Sequence, residues 1–488
     1  MKRFLSLFLA ALMILSSAIM LFSCKKDDDD TTGDASGEIK KYDEDSLFYE
    51  RSLVSDELEP RDFGGRKFRV VPLYPHDIYI EKEDRNQGDL LKDATFQAVS
   101  AVERRFNFEV EVAFRGTYTE IADYVAKTVL ASSDEFDLSM GQVLQTASIV
   151  EKNLFLNWYD IEHVDFSKPW WFEEATEELT INGKSILAAS HLNTSVVTGI
   201  YCMFFNKALA ASYELPNLYD VVLQGDWTFD YLMELIADIY TDNGNDKKDA
   251  GDFYGLTILS TNPWFWGFDN PICSKNAEGI PQLSLNTENA PSMINKIYDM
   301  CYNTNGVYFD SKDQNDRVEA EGVFLASRAL FIDTILGEVV AEKYRNFEDD
   351  YGILPMPKFD ETQKDYRSAI GGYHSILAVP KTARDTDFIG TVVEALSAEL
   401  WKVRTPTIYE IALKTRYLRD NESKQVLDLL VDNVKFDFGF VYHIGLSNFV
   451  NELMFLDNSN SFQSFFKKKK TQINYNLKQI IKVYQKID

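Results

Sequence analysis

Short apolar runs alternate with amphipathic segments along the first third of the chain. The runs 67–73 and 137–140 have strand length, and residues 108–114 alternate between apolar and polar side chains as in a half-buried strand. Segments 91–106 and 121–129 place apolar residues at helical spacing, which predicts one buried face on each helix. Strands that alternate with helices favour a mainly parallel sheet covered by helices on both faces. We therefore predict an α/β fold.

A second region with strand signals lies in the last third of the chain. Residues 328–333, 351–354 and 375–379 are apolar runs of strand length, and a segment with helical spacing lies between the first two. A polar loop that ends in two glycines then places Tyr373 and His374 directly before the third run. The predicted order is strand, helix, strand, loop, strand.

Several polar or aromatic side chains are predicted at strand ends. Asp333 is the last residue of its predicted strand, and Tyr373 and His374 lie in the loop that enters the next one. Tyr74 and Gln142 follow predicted strands of the first region. Because ligands of open α/β sheets bind beyond the carboxyl ends of the strands, we predict that these five residues contact a ligand.

The N-terminus combines two basic residues, an apolar run over 4–22 and Cys24. This order is typical of a secretory signal peptide. Leu21 and Ser23, at −3 and −1 from the cysteine, resemble a bacterial lipobox, which implies cleavage before Cys24 and diacylation of Cys24. The alternative is an uncleaved signal anchor, because about 20 apolar residues can span a bilayer. Residues 25–59 are polar and charged, and they predict a solvated tether.

Composition narrows the possible partners. The chain has 488 residues, which is too many for a single hydrophobic core, so two lobes are expected. Its formal charge of −27 makes nucleic acid a poor partner, because the phosphate backbone is also negative. The one basic block, Lys467–Lys470, is predicted to form a solvated turn before a closing helix.

Cofactor and metal sites are not indicated. Cys202, Cys273 and Cys301 lack the spacing of a disulfide framework or a zinc site. The loop from Asp242 to Asp252 fails the calcium-loop template, because position 6 is Lys247 and not glycine. We predict a solvated turn there, and the alternative is an adventitious cation site.

Four segments in order resemble the extracellular solute-binding proteins (family 1), the sugar-binding lipoproteins of ABC importers. They are GDWTFDYLMELIADIY from Gly225, DNGNDKKDAGDFYGL from Asp242, the strand–helix–strand region with GILPMP and the Gly371-Gly372-Tyr373 turn, and YEIALKTRYLRDNESKQVLDLL from Tyr409. The resemblance implies a two-lobed periplasmic-binding-protein-like fold, in which each lobe is a mainly parallel sheet flanked by helices and the hinge is crossed more than once. The expected segments are a signal peptide at 1–23, a tether at 24–60, lobe 1 at 61–192 and 373–437, and lobe 2 at 193–372 and 438–488.

The resemblance also implies a function. The protein is expected to be anchored outside the cytoplasm through the lipid on Cys24, and to capture a carbohydrate, in particular an oligosaccharide, by hinge closure. Its expected partners are that ligand, the membrane and the permease subunits of an ABC transporter. It is expected to be a monomer and not an enzyme, with neither cofactor nor metal.

Four tryptophans are candidates for stacking on sugar rings. Trp264 and Trp266 lie in the segment 262–268, which the flanking proline and glycine predict to be an exposed loop, and Trp170 and Trp171 follow a proline near the first lobe crossing. Aromatic faces suit the apolar faces of sugars. The alternative is that each indole anchors the core, and the sequence leaves both interpretations open.

Two other classes of protein compete with this interpretation. A secreted glycoside hydrolase, or another carbohydrate-active surface lipoprotein, also has aromatics and carboxylates in its cleft, and 77 acidic residues make chance carboxylate pairs certain. A lipid-anchored adhesin would lack a small-molecule pocket. No HExxH, GxSxG, Walker A or helix-opening GxGxxG motif is present.

Overall fold

A computed structural model gives the structure of the protein and describes residues 42–44, 46–73, 89–285, 288–310, 317–414 and 421–487. The predicted signal peptide, Cys24 and Tyr74 lie outside these residues. The strands are β1 (Arg66–Val71), β2 (Phe108–Val112), β3 (Leu138–Gln142), β4 (Tyr201–Asn206), β5 (Tyr240–Thr241), β6 (Phe253–Thr257), β7 (Cys273–Lys275), β8 (Pro281–Leu283), β9 (Val307–Tyr308), β10 (Ala329–Ile335), β11 (Tyr351–Pro355) and β12 (Ser375–Ala378).

Helices connect and follow these strands. The α-helices are Tyr49–Ser52, Leu90–Phe106, Tyr118–Leu130, Val143–Ile149, Glu173–Leu179, Thr194–Thr198, Lys207–Ser212, Leu218–Gln224, Phe229–Ile236, Asn262–Gly267, Ala290–Asn303, Val318–Leu325, Glu342–Arg345, Thr386–Lys414, Asn421–Asp432, Phe438–Val441, Phe449–Asn451 and Phe462–Gln485. Short 3₁₀ or π turns are Val150–Lys152, Trp158–Asp160, Leu336–Val340 and Glu452–Leu456. None of the helices in the described part of the chain is long and apolar enough to cross a membrane.

The first sheet has the strand order β12-β3-β1-β2. β1 pairs in parallel with β2 and β3, whereas β12 runs antiparallel to β3. Helices Leu90–Phe106 and Tyr118–Leu130 begin at the N-caps Asp89 and Thr117, whose side chains accept hydrogen bonds from the free amides of the first turn. Their predicted apolar faces are buried, so the helical spacing in this part of the sequence was a correct guide.

The second sheet has the order β11-β4-β10-β6-β5, and β9 pairs with β6. It is mixed and not mainly parallel as predicted, because β4 runs antiparallel to both β10 and β11. The reason is the entry point of the chain, since Tyr201 at the start of β4 pairs with Ile335 at the end of β10. β7 and β8 form a separate two-stranded sheet. The predicted α/β fold, with a larger sheet in each lobe, is confirmed.

Two segments lie elsewhere than predicted. The last part of the expected tether docks on the first lobe, where Val54 and Leu58 pack against its core and Asp56 pairs with Arg105. Helix Asn421–Asp432 packs against β11 of the second sheet and not in lobe 1. Its sequence has the periodicity of any amphipathic helix, and that periodicity does not say which sheet the buried face covers.

The basic block Lys467–Lys470 is helical and does not form a turn. Helix Phe462–Gln485 runs through it, because Phe465 and Phe466 before the lysines and Ile473 after them lie at helical spacing and are buried. The lysines occupy the outer side, where Lys469 pairs with Glu452 at 2.5 Å.

The chain passes between the two sheets along neighbouring segments. Near the first crossing, the Tyr201 amide donates to the Ala369 carbonyl at 2.9 Å, and the Gly371 amide of the second crossing donates to the Gly199 carbonyl at 3.0 Å. Buried Arg404, on helix Thr386–Lys414, donates to the carbonyls of His191 and Leu192 beside the first crossing. These hydrogen bonds hold the connecting segments side by side.

Candidate ligand-binding cleft

The turn 371–374 lies where the two sheets meet. It leads into β12, whose Ser375 pairs with Gln142 at the end of β3, and the His374 carbonyl accepts from the Val143 amide at 2.9 Å. The turn is therefore fixed to the carboxyl end of a first-lobe strand. Ligands of α/β sheets are expected at this edge.

Gln142 supports the turn with its side chain. Its Nε2 donates to the Gly372 carbonyl at 2.6 Å, and its Oε1 accepts from the Gln145 amide at 3.0 Å. The side chain is buried. Both ends of the amide are thus bound within the protein, so Gln142 positions the turn.

A cavity of about 250 Å³, here called the Asp333 cavity, lies on one side of the turn. It brings together three of the predicted site residues, Asp333, Tyr373 and His374. The remaining wall includes Tyr201, Leu259, Arg317, Glu321, Glu338 and Lys343. Lys343 forms ion pairs with Glu321 at 2.8 Å and with Glu338 at 3.1 Å. The positive and negative charges of this wall therefore largely cancel.

Asp333 is buried within β10, which continues two residues beyond it instead of ending there as predicted. Its carboxylate accepts from the Leu259 amide at 2.6 Å and from the Ser260 amide at 3.0 Å. Burial raises the pKa of Asp333 to about 7, although the two amides oppose this shift. The side chain therefore shapes the loop after β6 as well as lining the cavity.

Tyr373 projects into the open part of the cleft. Its side chain is 61% exposed, so a ligand can reach the ring. The ring lies 6.1 Å from the ring of Tyr118, which begins a first-lobe helix. The ring of Tyr118 is thus a neighbour of Tyr373, although only Tyr373 lines the cavity.

A second cavity of about 170 Å³, here called the Trp266 cavity, lies on the other side of the turn. Its apolar wall includes Trp266, Phe436 and Phe440, and its polar wall includes Glu178, Arg367 and Asp437. His374 lines both cavities. The two cavities therefore share one wall at the turn.

His374 is a buried, neutral imidazole. Its Nδ1 lies 2.8 Å from the Gly371 carbonyl, which fixes Nδ1 as the protonated nitrogen. Burial lowers the pKa of His374 to about 4, so the ring is uncharged at neutral pH. Across the described chain, no group lies within hydrogen-bond distance of Nε2, which is left as an acceptor.

Trp170 and Trp171 are core residues. Both are buried, and their indole nitrogens donate to the Glu394 carboxylate at 2.8 and 2.9 Å. Neither lines either cavity. These two indoles anchor the first lobe, so the core interpretation applies to them.

Trp264 and Trp266 lie on helix Asn262–Gly267 and not in an exposed loop, so that prediction was wrong. Pro263 occupies the first turn of the helix, where its missing amide costs nothing, and so does not mark a loop. Trp264 is fully buried, edge-on to Phe229. Trp266 is half-buried and faces the Trp266 cavity.

Hydrogen bonds to Asp252 stabilise the acidic loop from Asp242 to Asp252. Asp252 accepts from the amides of Asn243 and Asp249 at 3.0 and 3.1 Å, and from the Tyr240 hydroxyl at 3.0 Å. The predicted turn is thus closed by hydrogen bonds of the kind expected for Asx-rich loops.

One cluster of potential metal ligands is found in the described ranges, formed by Glu162, His163 and Asp387. Asp387 is already paired with the Arg61 guanidinium, which would repel a cation. The cluster is also separate from both cavities.

Sequence reasoning missed several residues of the cleft. Glu178, Arg367 and Phe440 lie in segments without a recognisable motif, and only the fold brings them to the Trp266 cavity. Tyr201 carried a signal, because it begins a strand directly after the predicted crossing. Arg317 follows a polar stretch, and no sequence signal marks it as a site residue.

No protein-family model matches the sequence, and no curated protein matches it significantly. Solved structures do match. The galacto-N-biose/lacto-N-biose I-binding protein of the ABC transporter from Bifidobacterium longum, in complex with lacto-N-biose, is 11% identical with a TM-score of 0.57, and the match covers 86% of this chain and 98% of that one.

Two further structures are similar. The extracellular solute-binding protein from Staphylococcus aureus in complex with maltose is 13% identical with a TM-score of 0.53, over 85% of this chain and 98% of that one. An ABC substrate-binding protein from Listeria monocytogenes in complex with cycloalternan is 12% identical with a TM-score of 0.51. The match covers 86% of this chain and 99% of that one. At these identities the likeness establishes architecture alone: the chain has the two-lobed fold of the extracellular solute-binding proteins.

Proposed function

We propose that the protein is the carbohydrate-binding component of an ABC importer and captures an oligosaccharide between its lobes. The observation that carries the proposal is the turn 371–374, which joins the lobes and places exposed Tyr373 beside one cavity and buried His374 between two. The structural relatives named above support it, because they are described as bound to lacto-N-biose, maltose and cycloalternan.

The chemistry of the cleft suits a polyhydroxylated ligand. Tyr373 and Trp266 offer aromatic faces for the apolar sides of sugar rings, and the Nε2 of His374 offers an acceptor for a hydroxyl. Each cavity alone is smaller than the roughly 300 Å³ at which pockets for drug-sized ligands begin, whereas the two together exceed it. A ligand that occupies both sides of the turn fits this arrangement.

The Asp333 cavity favours binding over hydrolysis. A glycoside hydrolase needs one carboxyl group as an acid and another as a base or nucleophile. In the Asp333 cavity, Asp333 is bound by two amides, and Glu321 and Glu338 share Lys343. Release of smaller sugars from an oligosaccharide by the pure protein would contradict the proposal.

Closure of the lobes is part of the proposed mechanism. The side-by-side crossings can act as a hinge, and a ligand that touches both lobes favours the closed state by its additional contacts. Small-angle scattering should give a smaller radius of gyration with saturating ligand. An unchanged curve with confirmed binding would contradict closure.

We also propose that Cys24 carries the lipid anchor, which holds the protein at the outer face of the membrane, where it delivers ligand to permease subunits. As a separate proposal, the protein is a monomer. The lipobox-like sequence before Cys24 supports this. Cys24→Ala should release the folded protein from the membrane or stall its precursor. If the variant stays membrane-bound with unchanged lipid content, the assignment is wrong.

A thermal-shift screen tests carbohydrate binding directly. The protein from about residue 45 onwards is heated with a panel of mono- and oligosaccharides. A ligand at ~100 times its dissociation constant should stabilise the folded state by about 2.7 kcal/mol. A panel that leaves the melting temperature unchanged throughout would contradict carbohydrate binding.

A further inference from the structure

We propose that the Trp266 cavity receives a sugar unit that bears an ammonium group, so that the ligand of the cleft is an amino-bearing saccharide. This inference rests on the proposed function and adds the class of saccharide. It follows from the charges, the aromatic wall and the unpartnered polar atoms of one cavity.

The cavity is large enough for a ring. Its volume of about 170 Å³ far exceeds the roughly 10 to 15 Å³ that one water molecule needs on the same measure. The wall combines Trp266 and Phe440, whose rings are 5.9 Å apart and nearly perpendicular, with Phe436. Aromatic walls attract both the apolar face of a sugar and a nearby cation.

The ion pairs of the lining leave an excess of negative charge. Lys435 pairs with Glu174 at 2.7 Å, and Arg367 pairs with Asp269 at 2.5 Å. These pairs occupy both cations of the lining. Two carboxyl groups of the lining, Glu178 and Asp437, have no cation at ion-pair distance within the described ranges.

Of these two carboxyl groups, Glu178 is the one open to a ligand. Asp437 is bound to the protein, because it accepts from the amides of Ile272 at 2.5 Å and Phe440 at 3.0 Å. For Glu178, the described part of the protein supplies no hydrogen-bond donor, and the nearby Lys275 donates to the Glu177 carbonyl instead. Burial raises the pKa of Glu178 to about 7, as expected of a carboxyl group that lacks a sufficient countercharge. A ligand ammonium would supply that charge.

Three polar atoms without a hydrogen-bond partner, one of them on the charged Arg367 guanidinium, belong to residues of the same lining. The Trp266 Nε1 and Arg367 Nε groups are buried donors without a hydrogen-bond partner among the residues described. The His374 Nε2 atom is a buried acceptor that also lacks a partner there. His374 is only 2% exposed. Since buried polar groups are normally paired, these atoms would gain partners from ligand hydroxyl groups, which both donate and accept, if lobe closure brings them into contact.

The test compares three disaccharides with one linkage and different groups at carbon 2. They are the β-1,4-linked glucosamine disaccharide, its N-acetylated form and cellobiose. Titration calorimetry at pH 7 should show that the glucosamine disaccharide binds more tightly than cellobiose by about tenfold to a hundredfold, the range given by a hydrogen bond to a charged group. Glu178→Gln should bring the two affinities within about a factor of two. Glu177→Gln, an exposed neighbour outside the lining, should keep the preference.

Each other outcome has a definite meaning. Equal affinity of the wild-type protein for the three disaccharides, or a preference that survives Glu178→Gln, overturns this inference and leaves carbohydrate binding standing. Failure to bind the glucosamine disaccharide while another saccharide binds has the same meaning. If no saccharide of the screening panel binds, the proposed function and this inference both fail.

Discussion

The Leu259 amide donates a hydrogen bond of 2.6 Å to the buried carboxylate of Asp333. Since the Ser260 amide donates to the same carboxylate, one side chain on β10 fixes the backbone that follows the neighbouring strand β6. This places the loop after β6 at the wall of the Asp333 cavity. Asp333 is therefore important for the shape of the cleft as well as for its polarity.

Asp333→Ala should lower both stability and affinity. The substitution leaves the buried Ser260 amide and the half-buried Leu259 amide without their acceptor, and a buried unsatisfied group costs about 1 to 3 kcal/mol. We expect the free energy of unfolding in urea to fall by about 2 kcal/mol or more, and saccharide binding to weaken with the loss of loop order. Asp457→Ala, which removes an exposed carboxylate, should change neither. Unchanged stability of Asp333→Ala would contradict the proposed role of the two amides.

The two tryptophans of one helix should respond differently. Trp264 is fully buried, so Trp264→Ala should lower the free energy of unfolding by about 3 to 5 kcal/mol while the folded fraction binds saccharide normally. Trp266 lines a cavity, so Trp266→Ala should weaken binding by about tenfold or more, with a smaller loss of stability. Chemical denaturation and calorimetry separate the two effects. The reverse pattern would place the ligand elsewhere.

Tyr373→Ala should affect binding alone. The side chain is 61% exposed, so its removal leaves the core intact, and the melting temperature without ligand should stay nearly constant. Loss of one stacking face should weaken saccharide binding by about tenfold. Tyr475→Ala is the matched control, because Tyr475 is 56% exposed on the closing helix and lines neither cavity. Equal affinities of both variants and the wild-type protein would exclude Tyr373 from the site.

The Glu394 carboxyl group should make stability depend on pH. Burial raises the pKa of Glu394 to about 7, so at pH 6.5 the folded protein holds a proton that the unfolded chain has released. Stability from this group therefore falls as the pH rises through 7. Between pH 6.5 and 8, the wild-type protein should lose roughly 1 kcal/mol more than Glu394→Gln, which cannot titrate. Parallel pH profiles of the two proteins would contradict this shift.

Periodicity in the sequence predicted the early elements of the fold well, because helices Leu90–Phe106 and Tyr118–Leu130 bury the faces that their apolar spacing marks. It failed where local signals are ambiguous. The proline of 262–268 is compatible with a loop and with the first turn of a helix, and here it lies in the first turn of a helix. Four consecutive lysines lie on the outer side of a helix whose inner side is apolar. The helix 421–432 was assigned to the wrong lobe for the same reason, since amphipathic spacing does not identify the partner surface.

The candidate site was predicted in part. Asp333, Tyr373 and His374 were found because strand ends and glycine-rich turns are visible in sequence, and the structure brings all three to one cavity. The indoles of Trp170 and Trp171 were not separable from ligand-binding aromatics, because their partner Glu394 is more than 200 residues away in the chain. Glu178 and Arg367 meet only through tertiary packing, and no local pattern marks them.

The central claim, that a saccharide is held at the turn between the lobes, is tested most directly by ligand-induced melting shifts in the double variant Trp266→Ala/Tyr373→Ala. We expect a saccharide from the panel to raise the melting temperature of the wild-type protein, with a stabilisation of about 2.7 kcal/mol at ~100 times its dissociation constant. The double variant should fold and show little or no shift at the same concentration, because it lacks the aromatic faces on both sides of His374. A folded double variant with the full wild-type shift, or a wild-type protein that no saccharide stabilises, would contradict the claim.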